Sequence, residues 1–231
     1  MIKNFLKNGR ALFLRRQTNI FSAAAVISLL YGASMILGIL RDRLLISRFY
    51  ACCRGDLDVY WAAFRLPDTI FQLLVIGALS AAFIPVFSEY LLKDRKEAYL
   101  VASSLINILT LVFLVLTGLV FIFARPLSEL ITGAFSSNQI DLMVNLTRIM
   151  LAAQFFFLFS NFLTGIIQSH QRFIVPALSP VVYNLGIILG ILIGSPTLGI
   201  YGPTIGVVFG ALLHFLIQLP LGLRLGMFWR P

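Results

Sequence analysis

The chain has 231 residues, of which 59% are hydrophobic and only 12% charged, against about 45–50% and about 25% in soluble globular domains. Too few polar side chains remain to cover a water-facing surface, which excludes a soluble enzyme or binding module and leaves lipid as the covering phase. The formal net charge of +9 raises nucleic acid as a partner, but the cations flank apolar segments instead of forming one patch, which excludes that as well.

Residues 1–19 form a basic leader to the first span, with Lys3, Lys7, Arg10, Arg15 and Arg16. Ile20 to Leu40 then runs without a charge, enough at about 1.5 Å per residue to cross a hydrocarbon core of about 30 Å. It is too long for a signal-peptide core, and Arg41, Asp42 and Arg43 follow it directly with no small-residue cleavage site. A first helix is expected over 20–49. The uncharged stretch Thr69 to Ser88 predicts a second over 59–90. Further helices are expected over 98–124, 144–168, 173–194 and 203–223. Each must be helical, because a helix satisfies its own backbone hydrogen bonds where water is absent. The predicted fold is therefore all-α and polytopic, a six-helix transmembrane bundle over 20–226, with 227–231 opening the next segment.

Orientation follows from charge. Besides the N-terminal cations, Lys93, Arg95 and Lys96 lie between helices two and three, Arg172 between four and five, and Arg224 and Arg230 after six. This pattern places the N-terminus in the cytoplasm and gives the chain an attraction for anionic lipids.

Four cations break the pattern. Arg41, Arg43, Arg48 and Arg54 cluster around the first outer loop, partly balanced by Asp42, Asp56 and Asp58. Arg43, Arg48 and Arg54 read as residues snorkelling to the interface. Arg41 has the strongest claim to function, because apolar Leu44 to Ile46 continue the helix past it, and an ionisable group at membrane depth usually faces a cavity or a partner. Arg65, Pro67 and Asp68 form a charged pair around a helix-disrupting proline, read either as a helix-start ion pair or as part of a transport path. Pro176, Pro180 and Asn184 are spaced by four and share one face of the fifth helix, where missing N–H donors leave carbonyls open to a cavity.

The remaining features read as structural. Gly32-Ala33-Ser34 and Gly38, and Gly77-Ala78 with Ser80-Ala81-Ala82, are packing signals. Phe155 to Phe157 read as core or lipid-facing, and His214 as packed or hydrogen-bonded. Adjacent Cys52 and Cys53 suit neither a relaxed disulfide nor a zinc site. No nucleophile–base pair, metal-ligand cluster or phosphate loop is legible, so neither an enzyme nor a metal or organic cofactor is expected.

Three segments then carry a resemblance. Ser34 to Asp42 (SMILGILRD), Asp58 to Asp68 (DVYWAAFRLPD) and Gly77 to Tyr90 (GALSAAFIPVFSEY) resemble the opening of the MurJ/MviN family of lipid II flippases, within the multidrug/oligosaccharidyl-lipid/polysaccharide exporter superfamily. Arg172-Phe173 with Pro176 to Pro180 and Asn184 is similar to that family's fifth helix, and Gln218-Leu219-Pro220 to the end of its sixth. The resemblance implies one six-helix lobe of a two-lobed transporter in the bacterial inner membrane, with the C-terminal lobe as its missing partner. It implies alternating access, and a cargo of lipid II or a similar polyprenyl-pyrophosphate-linked sugar for peptidoglycan biosynthesis, driven by ion or voltage gradients. Arg41, Arg65 and Ser34 are then candidate substrate contacts, and Asp42, Asp58 and Asp68 candidate gating or ion-pair residues. Met35, Phe71, Gln72 and Ile76 depart from charged family positions, which implies a less cationic cavity. An exporter of another lipid-linked oligosaccharide, and a non-transporting membrane scaffold of the same fold, are the alternatives.

Overall fold

A computed structural model of the chain describes residues 20–73 and 83–227. The basic N-terminal segment, Ile76, the small-residue run 77–82 and Arg230 lie outside the described residues. Among those described, every regular element is helical: α1 Ile20–Phe49, α2 Arg54–Ala63, α3 Arg65–Phe71, α4 Ile84–Lys93, α5 Arg95–Ile122, α6 Ala124–Thr132, α7 Ser137–Ser169, α8 Ile174–Leu189, α9 Ser195–Leu198 and α10 Tyr201–Arg224. A π-helical turn, Gly190–Gly194, joins α8 to α9. Five described stretches are long and apolar enough to cross a membrane: Ala24–Phe49, Arg95–Ile122, Ser137–Ser169, Ile174–Leu198 and Tyr201–Arg224. The sixth expected span, Thr69–Ser88, includes residues outside the described set.

Proline chemistry explains where the helices differ from expectation. The helix expected over 59–90 begins at Arg54 and breaks at Phe64. Pro67 has no N–H to offer the carbonyl of Ala63 one turn back, and its ring crowds that carbonyl. The Thr147 hydroxyl of α7 donates to the Ala63 carbonyl instead, at 3.3 Å. Pro126 likewise has no donor for the carbonyl of Ile122, where α5 stops, and the short unexpected helix α6 follows. The helix expected over 144–168 begins at Ser137, earlier than an uncharged window allows, because its first turns carry Asp141, which accepts from Arg125 Nη1 at 2.7 Å. Its start is fixed by the Gln139 side chain, which accepts from the Ser136 N–H at 3.0 Å. At the start of α5 the Asp94 carboxylate accepts from the Lys96 N–H at 2.7 Å.

Helix α7 is the hub. Of its most apolar stretch 56% is buried, against 22% for α5 and only 6% for α1, so α7 is wrapped by neighbours while α1 lies at the edge. One core joins Leu45 and Phe49 of α1, Tyr60 of α2, Met143 and Met150 of α7 and Val207 of α10. A second joins Phe83, Phe87, Ile106, Phe113 and Phe162, binding α4 and α5 to the other flank of α7. Between α8 and α10 there is almost no side-chain layer. Gly186, Gly190 and Gly194 face Gly202, Gly206 and Gly210, and a Cβ on Gly190 would sit 2.6 Å from the Gly202 carbonyl and from Gly206 Cα. Such contact needs glycine and allows two helices to pack backbone to backbone. The chain reverses from α9 into α10 at Gly199, whose φ is +57°. At the other end of α10, Arg95 Nη2 donates to the Leu225 carbonyl at 2.5 Å, and the Tyr99 hydroxyl donates to the same oxygen.

Candidate functional site

Ser34 and Arg41 lie seven residues apart and therefore on one face of α1, the face that meets α8. Arg41 places Nε and Nη2 each 2.8 Å from Asp42 Oδ1, and its Nη1 donates to Asn184 Oδ1 at 3.0 Å. The Asn184 amide donates onward to the Ser34 carbonyl at 3.2 Å, the Ser34 hydroxyl at 3.1 Å and the Pro180 carbonyl at 3.2 Å. Gly38 leaves room for this, since a Cβ there would stand 4.0 Å from Asn184 Oδ1. One seam thus brings together Ser34, Arg41, Asp42, Pro180 and Asn184. Arg41 lies eight positions before the helix end at Phe49, a rise of about 12 Å. The Arg41 side chain keeps 22% of its surface open, so it is held by partners yet accessible to a ligand.

That open surface faces a cleft of about 510 Å³, within the size range of small-ligand sites. Arg41 and Asp68 are the charged residues lining it among those described, with Gln72, Gln154, Asn161 and His214 as polar groups and an aromatic wall from α2, α3, α7 and α8. The rings touch in sequence: Tyr60 and Phe64 at 5.2 Å between centroids, Phe71 and Phe157 at 5.9 Å, and Phe157 and Tyr183 at 5.0 Å. Asp68 accepts from Gln154 Nε2 at 3.4 Å. Asp58 and Arg65 line a separate cleft of about 390 Å³, and Trp61 borders both. The structure therefore does not bring Arg65 to Arg41. Pro176 is buried in the first turn of α8 and lines neither cleft.

The departures from the family pattern have distinct places. Phe71 and Gln72 line the larger cleft, so ring and amide stand where the resemblance expects guanidinium. Met35 is exposed on α1, away from the buried Ser34 beside it. Cys52 and Cys53 are free thiols.

Two polar elements were not singled out from sequence. Gln154, 3% exposed, is one. The other is a buried ladder between α7 and α10. There the Ser160 hydroxyl meets His214 Nδ1 at 2.6 Å, Gln218 Nε2 donates to Ser160 Oγ at 2.7 Å, and the Thr164 hydroxyl donates to Gln218 Oε1 at 2.8 Å. His214 is hydrogen-bonded as expected, and Phe157, expected in the core or facing lipid, lines the cleft against it, 5.3 Å between ring centroids. Ser160 and Thr164 give a signal only in pairs, because isolated hydroxyls in apolar helices are common.

Comparison with known proteins gives a consistent result. A family model described as lipid II flippase MurJ matches residues 53–231. The chain is 30% identical over 200 residues to a probable lipid II flippase MurJ of Borreliella burgdorferi, covering 86% of this chain and 38% of that protein. It is also 30% identical over 198 residues to lipid II flippase MurJ of Thermosipho africanus, covering 85% and 40%. A solved structure of lipid II flippase MurJ in an inward closed conformation superposes with a TM-score of 0.72 at 30% identity, over 85% of this chain and 41% of that one. The chain spans about two fifths of the length of these relatives.

Proposed function

We propose, because this chain belongs to the lipid II flippase MurJ family, that it forms the N-terminal lobe of a transporter that flips lipid II across the bacterial inner membrane by alternating access. In this reading the N-terminus is cytoplasmic, and a C-terminal lobe faces α1 and the larger cleft to complete the substrate path. The observation that carries the reading is the Arg41 seam. A guanidinium at membrane depth, shared between Asp42 and Asn184 and partly open to a cleft, suits a lipid-linked diphosphate, because its planar fork can exchange a carboxylate for a phosphate.

Asp42 and Asn184 act as positioning residues that hold the guanidinium until phosphate displaces them. Ser34 anchors Asn184 from α1, so loosening Arg41 also loosens the contact between α1 and α8. Alternating access requires such a seam, since hydrogen bonds can exchange partners at little net cost whereas interlocked backbones cannot. Asp58 and Arg65, in the second cleft, belong to a gate rather than to the phosphate site. Anionic lipids at the cytoplasmic surface hold the flanking cations, and the transport step is driven by ion or voltage gradients.

A second cargo, another lipid-linked oligosaccharide, is favoured by one observation: Phe71 and Gln72 line the cleft at positions where the resemblance expects arginines. The test is Arg41→Ala in the complete protein, with lipid II flipping measured in reconstituted vesicles. Loss of one charge-assisted phosphate contact lowers flipping by at least about tenfold at unchanged membrane abundance. Normal flipping removes Arg41 from the mechanism, and binding of another lipid-linked oligosaccharide in preference to lipid II selects the second cargo.

A further inference from the structure

Two aromatic residues of the larger cleft carry polar atoms that the protein itself leaves unused. Tyr60 and Tyr183 both line it. Packing fixes their rings: Tyr60 is 2% exposed and stands edge-on to Phe64 at 5.2 Å between centroids, and Tyr183 stands edge-on to Phe157 at 5.0 Å. Tyr60 belongs to the core that joins α1, α2, α7 and α10, and Tyr183 packs against that core. A buried phenol hydroxyl usually finds a hydrogen-bond partner. Neither of these has one among the described residues. Neither is sealed from solvent, since the buried polar atoms left without a partner belong to other residues. Each hydroxyl therefore opens into the cleft, where only water or a ligand can meet it.

The charge around the two phenols selects the ligand. Arg41 is the only cation among the described residues lining the cleft, and its charge acts on both phenols. At Tyr60 it outweighs the carboxylate of Asp42, and at Tyr183 that of Asp68. An anion rich in acceptors is therefore favoured beside the two hydroxyls, but Arg41 alone cannot satisfy it. Of the five N–H groups of a guanidinium, Asp42 engages that of Nε and one of Nη2, and Asn184 engages one of Nη1. One N–H remains on each Nη, while a diphosphate offers many more acceptor positions. Phe71 and Gln72 stand where the resemblance expects further arginines, so neutral donors are left to complete the set.

We infer that Tyr60 and Tyr183 are specificity-determining contacts of the cargo headgroup, their hydroxyls donating to the phosphate oxygens that Arg41 draws into the cleft. The inference rests on the reading of Arg41 as a diphosphate contact and adds the two phenols to it. A hydroxyl that donates to a charged oxygen makes a stronger bond than one between neutral groups. The donors come from α2 and α8 and the guanidinium from α1, so a bound phosphate spans the seam that alternating access has to open.

The test uses the complete protein in lipid nanodiscs, titrated calorimetrically with inorganic pyrophosphate at constant ionic strength. Saturable binding is expected, weakened at least about tenfold by Arg41→Ala. Tyr60→Phe and Tyr183→Phe each remove one donor and keep the ring, and each is expected to weaken binding at least about fivefold. The melting temperatures of both Phe variants should equal that of the parent, because no bond inside the protein is lost. Unchanged affinity in either Phe variant, with Arg41→Ala still weakening it, overturns the inference and leaves the diphosphate reading of Arg41 standing. A lowered melting temperature in either Phe variant also overturns it, since the hydroxyl would then serve the fold. No saturable binding to the parent, or binding that Arg41→Ala leaves unchanged, overturns both the inference and the reading beneath it.

Discussion

Helix α8 meets its two neighbours in opposite ways. Toward α10, it and the π-helical turn that follows present Gly186, Gly190 and Gly194, and the backbones pack with almost no side chain between them. Toward α1 it presents Asn184, whose amide holds Ser34 and Arg41 through hydrogen bonds of 3.0–3.2 Å. Backbone contact depends on close shape and has no alternative arrangement at similar energy. A hydrogen-bonded seam can exchange partners with a ligand or water at a net cost of about 0.5–1.5 kcal/mol per bond. The difference sets an expectation for the proposed transport motion: α8 and α10 should travel as one body, and α1 should be the element that parts from it.

The largest effect is expected on the glycine side. Gly190→Leu drives a Cβ to 2.6 Å from two backbone atoms of α10, and forced separation of the helices costs about 3 kcal/mol. Thermal unfolding in detergent should show a large loss of stability; an unchanged melting temperature would mean that the two helices are not locked. The polar side should respond differently. Asn184→Ala removes the shared acceptor of Arg41 and is expected to lower flipping about fivefold for a net stability loss of about 1 kcal/mol. A stability loss as large as that of Gly190→Leu would erase the distinction between the two seams. The smallest effect sharpens the comparison. Thr147→Val leaves the Ala63 carbonyl without its donor and should cost about 1 kcal/mol, while flipping by the complete protein stays at the parent level. Reduced flipping there would show that the break before Pro67 belongs to the moving parts.

Much of this contrast was legible in the sequence, and the illegible part has a physical reason. Arg41 stands out in the sequence because a charge inside an apolar helix has few ways to be satisfied, and Asn184 because it shares a face with Pro180. Their meeting was not legible, since which face of α1 turns toward α8 is a tertiary fact. The glycine seam is written in plain spacing, every fourth residue from Gly186 to Gly194 and again from Gly202 to Gly210. Charge-free windows located the spans and cut them short wherever a charge was paired, as at Asp141. The breaks at Phe64 and Phe123 follow from Pro67 and Pro126 once the carbonyl four residues earlier is considered. Gln154 carries no sequence signal, because one amide in a long helix gains meaning only beside Asp68.

Distances between spin labels in the complete protein test the central claim most directly. One pair joins exposed Ile36 of α1 to Leu185 of α8, and the other joins Leu189 of α8 to Phe209 of α10, all four side chains being exposed. Pulsed electron–electron resonance with and without lipid II should shift the α1–α8 distribution and leave a single, unchanged α8–α10 distance. A fixed α1–α8 distance together with a shifting α8–α10 distance would contradict the account.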